Sequence, residues 1–452
     1  MATARTLDEA LKYLKDPSVT ELIVSSARRL GSDDAKAIAA LLPASHVTSL
    51  NLNSHKIGDT GAKAIADALP GSSLVHLDLG NNGIEAAGTT AIMSALPHSS
   101  LASFKFEKNF FGPEGIAAMK AALPASKLTH VNISYCQLAA EGAAAIGEIL
   151  PQTKISDLNV SINQFGTEGA ASIAGNLTKS AVTHLNLNGN MFDDDSIRAL
   201  SSGLPGSNVT HLRLGSNDFN LGAQSLAAAL PQTNVESLSI ARTGLKDEGI
   251  SALAAALPQS LITDFNCSGN DFNAGGAKAL AAVLAKSKLT TLDISDNDFF
   301  YEGTRAITEG LRGSAITSLE IYINSTMDES RNACLDAMYM NAAEQAHLAG
   351  RSSKPFILEA LTFAKAKQWL EEHGQPLTIR DFMDEDGNVL TTKGLRCKGG
   401  PRELFRQTDM WESKEQAQRA YRLLPQSRRS QVNNIHELLA DLSRRQSTVR
   451  SR

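Results

Sequence analysis

The chain has 452 residues, 42% apolar and 20% charged, a composition that can bury a core and excludes a disordered polymer. That length also excludes one ordinary core and calls for several domains or a repeat array. A net charge of −5, from 43 basic and 48 acidic residues, excludes coating of nucleic acid or an anionic membrane along the whole chain.

At the start of the chain, Asp8, Glu9, Lys12 and Lys15 recur at helical spacing where a secretory signal needs an unbroken apolar stretch. Thr6-Leu7-Asp8-Glu9 has the pattern of a capping box, with Leu7, Leu11 and Leu14 on one helical face. Residues 1–18 therefore read as a capping helix. Pro, Lys or Glu cuts every Ala-rich stretch, so no membrane span is expected and the protein should be soluble. Cys136, Cys267, Cys334 and Cys397 lie far apart without a CxxC, which predicts neither a disulfide framework nor a zinc module and fits a reducing compartment. The sequons at Asn132, Asn159, Asn176, Asn208, Asn266 and Asn324 matter only to a chain that enters a secretory lumen.

From Val19 onward one pattern restarts at Val47, Leu74, Leu101, Leu128, Ile155, Val182, Val209, Val235, Ile262, Leu289 and Ile316, a mean period of 27 residues. Each unit opens as L-x-x-L-x-L-x-x-N. Alternation at positions four and six predicts a short strand with one buried face. Position nine is Asn82, Asn109, Asn163, Asn190, Asn217, Asn270 or Asn297, with Cys136 replacing it once. A small polar side chain turning inward there can serve the unpaired backbone groups of stacked turns. His55 and Thr243 depart from the pattern, which predicts a weaker ladder at those two rungs. The second half of each unit predicts a helix opened by Gly61 and its equivalents. Ile65 and Leu69 face inward, and Pro70 and its equivalents stop the helix before the next strand.

The 27-residue period, the LxxLxLxxN core and the Gly-Ala-rich helix ending in Leu-Pro resemble the ribonuclease-inhibitor class of leucine-rich repeats, over about residues 19–345. The resemblance implies an α/β solenoid with a parallel, concave β-sheet inside and convex α-helices outside. Strands about 4.8 Å apart would line an inner arc of roughly 50 Å. With a closing helix over 328–349, the solenoid is placed at 19–350. GTPase-activating proteins of the Ran type share such a solenoid but end in an acidic tail, whereas this sequence ends in arginines. Nucleotide-binding innate receptors place the repeats after an ATPase module, and none precedes Val19.

Residues 351–452 carry 19 basic and 13 acidic residues, net +6, against net −11 for residues 1–350. Short helices are predicted over 357–373, 377–383, 401–407, 413–423 and 428–445, with turns at Gly374 and Asp386-Gly387, making a small basic all-α C-terminal module. Leu377 to Leu390, with Leu404-Phe405, Trp411 and Leu423-Leu424-Pro425, resembles ankyrin-like helical repeats, although the Thr-x-Leu-His core is absent. Similar units occur in effectors that intracellular bacteria inject through a Dot/Icm type IV secretion system.

Chemistry-bearing patterns are sparse. Without GxxxxGK[ST] or a strand-coupled GxGxxG, no nucleotide or other cofactor is expected. Asp384, Asp386 and Gly387 read as a plain turn, since Phe382 and Lys393 would occupy the first and last ligand positions of a calcium loop. Position three holds His76, His130, His184 and His211, with Asp157 beside His184. A metal at Asp157, His184 and His211 is one reading and a row of neutral polar side chains the preferred one. Cys136 and Cys267 fall on inward positions, which makes them core residues rather than nucleophiles.

The expected function is therefore non-enzymatic binding of a protein partner, a host protein, by a translocated bacterial effector through the concave face. The chain should be a monomer that reaches the host cytosol without a signal peptide, or stays cytoplasmic otherwise, and binds no nucleic acid. Charged and aromatic side chains at solvent-facing positions are the candidate anchors: Lys105, Glu107, Lys108 and Tyr135 toward one end, and Arg213, Arg242, Asp264, Asp293, Glu320 and Tyr322 toward the other. An alternative makes the C-terminal module an enzyme using His373, Asp381, Cys397 or His436, with the repeats selecting its substrate. A third uses the basic tail on anionic membrane or nucleic acid.

Overall fold

A computed structural model describes residues 1–25, 28–321, 328–348, 369–370 and 372–375. The chain divides into two units, the first comprising 1–299 with 320–322 and the second 300–319 with 323–452. The helices predicted beyond 375, and most of the one at 357–373, lie outside the described residues.

In the first unit the strands follow one another across the sheet in sequence order. They are β1 (Ala2–Ala4), β2 (Glu21–Val24), β3 (Ser49–Asn51), β4 (His76–Asp78), β5 (Ser103–Lys105) and β6 (His130–Asn132). Then come β7 (Asp157–Asn159), β8 (His184–Asn186), β9 (His211–Arg213), β10 (Ser237–Ser239), β11 (Asp264–Asn266) and β12 (Thr291–Asp293). β13 (Ser318–Glu320) takes the next place, the Ile294 amide donating to the Glu320 carbonyl at 3.0 Å. The pairing is parallel with each residue facing its equivalent one repeat on, as in Leu50 opposite Leu77. That register follows from the period, because every turn returns the chain to the same phase.

From β3 onward the middle residue of each strand is buried, as Leu77 and Leu212 show, and its two neighbours lie on the opposite face. Burial continues at positions one, six and eleven, where Phe111, Phe165, Phe192, Phe219, Phe272 and Phe299 are all sealed from solvent. Phe272 and Phe299 stack with centroids 5.5 Å apart, so the core runs from rung to rung rather than ending within one. Ile65 and Leu69 point inward as their spacing predicts. The α-helix ends at Ala68, and Pro70 sits inside the 3-10 turn Leu69–Gly71 that follows.

The recurring glycine has a different role from the one expected. The helix begins at Gly58, so Gly61 lies a turn inside it. A Cβ on Gly61 would stand 2.8 Å from Ala35 Cβ, and one on Gly276 would stand 2.4 Å from Ile250 Cγ2. The missing side chain lets each helix approach the preceding one. At the start of the chain, Thr6 caps the helix Leu7–Leu14 by accepting from the Glu9 amide, and the Glu9 carboxylate accepts from the Arg5 amide. The short strand β1 before it carries no sequence signal of its own.

Position nine forms a continuous ladder. Asn163 donates through Nδ2 to the Ile133 carbonyl of the preceding rung at 2.9 Å and to the Val160 carbonyl of its own turn at 3.0 Å. Its Oδ1 accepts from the Cys136 amide at 2.8 Å. Cys136 supplies only weak thiol donation, to the Phe106 and Ser134 carbonyls. His55 was expected to weaken the ladder, yet its ring bridges rungs: Nδ1 accepts from the Leu30 amide at 3.3 Å and Nε2 lies 3.2 Å from the Val24 carbonyl. Imidazole thus spans what the amide spans elsewhere. At Thr243 the hydroxyl reaches the Ile240 carbonyl of its own turn and Asn270 Oδ1, with no bond to a preceding carbonyl among the described residues. The weaker rung is there.

In the second unit the helix Asp328–Leu348 forms where the sequence predicts it. Asn341 Oδ1 accepts from the Gly313 amide at 2.9 Å while its Nδ2 donates to the Ser314 carbonyl. Gly374, with φ of 68°, takes the left-handed conformation in a turn.

Removing a ladder amide leaves buried backbone groups unpaired, so Asn163→Ala should lower the unfolding free energy of the full chain by about 3 kcal/mol in urea titration. Burial holds His55 below the ordinary imidazole value, against the opposing bond to Val24. As pH falls below about 6.5, the unfolded chain binds a proton that the folded chain resists, and stability declines until the folded value is passed. Unfolding curves of His55→Asn across that window should show a shallower decline, since the amide preserves the bridge without titrating.

Candidate functional site

The face of the sheet turned away from the helices is built from positions three, five and seven, because the strand alternates and the helices occupy its other side. Lys105 and Arg213 end β5 and β9 and are exposed, and neither side chain makes a hydrogen bond or ion pair to another described residue. Four strand spacings separate them, about 19 Å. Between them the same column holds only Asn132, Asn159 and Asn186. Asp264 accepts from Ser237 Oγ at 2.9 Å, and Asp293 accepts from Asn266 Nδ2 at 2.8 Å and from the Ser295 amide at 3.0 Å. Those two carboxylates serve the face itself. Glu320 is exposed, and Tyr322 lies outside the described residues.

Glu107 is half-buried rather than free. Its Oε1 accepts from Asn53 Nδ2 at 2.9 Å and its Oε2 from Asn132 Nδ2 at 3.1 Å, so one carboxylate ties together rungs on both sides of its own. Gly80 makes the room, since a Cβ there would stand 2.5 Å from Glu107 Oε1. Burial pushes the Glu107 carboxyl up and nearby Asp78 adds to this, while its hydrogen bonds and Lys105 pull down. The network was not foreseen. Its sequence signal is a glycine at position seven one unit before a glutamate at the same position.

The histidine row forms as spaced. His130, Asp157, His184 and His211 face one another on β6 to β9. The His184 and His211 rings stack at 4.0 Å, and each Nδ1 lies 2.9 Å from the hydroxyl of the preceding threonine. Burial and then the neighbouring His184 hold His211 below its ordinary value, against Glu236 and Asp264. Among the described residues no three His, Cys, Asp or Glu side chains converge as a metal would require. Burial pushes the Cys136 thiol up to about 12 and the Cys267 thiol well above its ordinary value, so neither supplies a thiolate near neutral pH. His373 stacks on Trp369 at 3.7 Å, while Asp381, Cys397 and His436 lie outside the described residues. No helix of the described residues is long and apolar enough to cross a membrane.

Position eight has a property that its residue types conceal. It is left-handed in one rung after another, with φ of 54° at Asn81, 57° at Lys108, 55° at Tyr135, 57° at Ile162, 64° at Gly189, 56° at Arg242 and 63° at Gly269. Gly and Asn suit that conformation; Tyr and especially β-branched Ile do not. The side chains leave the sheet at its rim and lie over the next rung. A Cβ on Gly189 would meet Ile162 Cγ1 at 3.1 Å, and one on Gly269 would meet Arg242 Cγ at 2.8 Å. Arg242 lies 3.9 Å from Asp296, a pair so exposed that it contributes little. Tyr135, Ile162 and Met191 are 52%, 49% and 69% exposed. Beyond Met191 an open groove of about 610 Å³ is lined by Gly189, Phe192, Asp193, Asp218 and Arg242. Tyr135 and Arg242 were anticipated as anchors; Ile162 and Met191 were not, although an apolar residue where most other units place a polar residue or glycine marks them.

The family model described as Leucine Rich repeat matches residues 44–66, 72–93, 125–147, 232–254 and 285–307. These segments fall in the described repeats, and the chain carries leucine-rich repeats, which typically serve as protein-binding scaffolds. No curated protein sequence matches the chain. Among solved structures, the chain is similar to one in the crystal structure of the yeast Rad7 and Elc1 complex, with 18% identity and a TM-score of 0.44, covering 64% of this chain and 79% of that one. It is also similar to leiomodin-1 actin-binding site 2, at 18% identity and a TM-score of 0.26, covering 30% of this chain and 84% of that one.

Proposed function

We propose that the chain is a non-enzymatic scaffold that receives a protein partner on the open face of its sheet. The observation that carries this is the pair Lys105 and Arg213, exposed and unpaired among the described residues, on a column otherwise filled by small amides. The core has no use for either cation, while a partner's carboxylates would satisfy both. We read the solenoid as being of the ribonuclease-inhibitor class, on its 27-residue period and its recurring helix.

The finer reading is that of an effector delivered into a host cell, where the partner is a host protein and the chain acts as a monomer. Its support is the resemblance of the segment from Leu377 to Pro425 to helical units of type IV-secreted proteins.

Full-length chain immobilised and exposed to host-cell lysate should retain a stoichiometric protein. The Lys105→Glu/Arg213→Glu variant should lose about 2 kcal/mol or more of that affinity in titration calorimetry while still unfolding cooperatively. Equal affinity would remove the open face from the site. A fusion of the full chain to a translocation reporter should give a signal in host cells that depends on a functional type IV apparatus; a signal independent of it would refute the delivery reading.

A further inference from the structure

The rim of the sheet in the first unit carries a second feature that neither the core nor the open-face reading uses. Tyr135, Ile162 and Met191 stand on consecutive rungs, all substantially exposed and all with left-handed backbone, at φ of 55°, 57° and 60°. Tyr135 and Ile162 occupy position eight, where the other rungs place Asn, Gly, Ser, Lys, Arg or Asp on the same left-handed backbone, and Met191 occupies position ten of the rung whose position eight is Gly189. That backbone is common to the repeat turn, so what sets these three apart is exposed apolar character, which the core does not use and which marks binding surface.

We infer that this rim docks a short protein segment that presents apolar side chains followed by a lysine or arginine. The apolar half of the match is Tyr135, Ile162 and Met191, with Gly189 opening the floor beneath Ile162. The basic half follows from what comes next along the rim. The groove beyond Met191 contains Asp218, and Asp271, Asp296 and Asp298 continue in the same two columns, all exposed. Arg242, the cation among them, already leans toward Asp296.

Charge separates this occupant from others. Residues 1–350 carry a net charge of −11, so a second copy would bring like charge to the rim, and an anionic lipid surface would meet the same carboxylates. A segment ending in Lys or Arg meets opposite charge. The inference rests on the reading of the chain as a protein-binding scaffold and adds a place and a ligand chemistry to it.

The test is to pan a displayed random-peptide library on the full chain, then titrate the most enriched peptide against variants. Enriched sequences should share large apolar residues followed by Lys or Arg. Ile162→Asn should weaken the peptide about tenfold or more with the melting temperature held or raised, because Asn tolerates the left-handed backbone. Asp218→Lys should weaken it and flatten its salt dependence. Lys105→Glu/Arg213→Glu should leave peptide affinity unchanged even where it abolishes capture of a partner, which keeps failure of the rim distinct from failure of the open face. The inference is overturned if the enriched peptides bind Ile162→Asn as tightly as the parent, or if they follow Lys105 and Arg213. It is equally overturned if Ile162→Asn instead dissolves a dimer in sedimentation or abolishes flotation with phosphatidylserine vesicles.

Discussion

Every feature of the first unit depends on one side chain repeated along the stack, the buried amide at position nine. A primary amide offers two donors and an acceptor within a small volume, and a buried turn has unpaired groups of both kinds. Asn190 shows the full set. It donates to the Val160 carbonyl behind it and the Leu187 carbonyl of its own turn, both at 3.1 Å, and accepts from the Asn163 amide at 2.9 Å. Because the partners stand at near-constant offsets, the ladder favours units of 27 residues. The 28-residue step is bridged by His55, the 26-residue step ends at the weaker Thr243 rung, and each group left unpaired costs about 1–3 kcal/mol. The ladder therefore holds the period, and the period holds the sheet register and the rung-to-rung packing of phenylalanines.

Once positions one, four, six, nine and eleven are committed to ladder and core, what remains of each strand segment points to the open face or the rim. Stability and recognition thus occupy different columns of the same repeat. Exceptions occur where one rung borrows from another, as when Glu107 crosses Gly80 to join Asn53 and Asn132. Such cross-rung bonds tie carboxylates to the face, as they do Asp264 and Asp293, whereas the Lys105 and Arg213 side chains carry none among the described residues.

The fold was largely legible in the sequence because period and burial are linear properties. The strand positions, the inward pair Ile65 and Leu69 and the asparagine column follow from spacing alone. What spacing could not reveal was three-dimensional. Gly61 looked like a helix start and is a contact point, because helix approach is set by a neighbour 26 residues earlier, at Ala35. His55 looked like a defect and is a bridge, because an imidazole can bond through both nitrogens. The candidate site was less legible still: Glu107 reads as a free surface charge until its carboxylate is seen between two amides. Ile162 reads as a stray aliphatic until its backbone is seen to be left-handed.

That backbone does not by itself separate side chains that merely tolerate exposure from side chains that need a reason to be where they are. A left-handed conformation disfavours a non-glycine residue by roughly 1–2 kcal/mol, appreciable against a total stability of about 5–15 kcal/mol. Packing over the next rung offsets part of it, since Tyr135 and Ile162 are only 52% and 49% exposed. The same position holds Asn or Gly at 81, 189 and 269 and a polar or charged residue at 54, 108, 216, 242 and 296, so the side chains at 135 and 162 are exceptional in polarity and not in backbone. The apolar residues at the rim therefore stand out from their column by chemistry, whereas the left-handed backbone is shared by every rung from Ser54 to Asp296, and the ladder and core of the whole stack offset its cost.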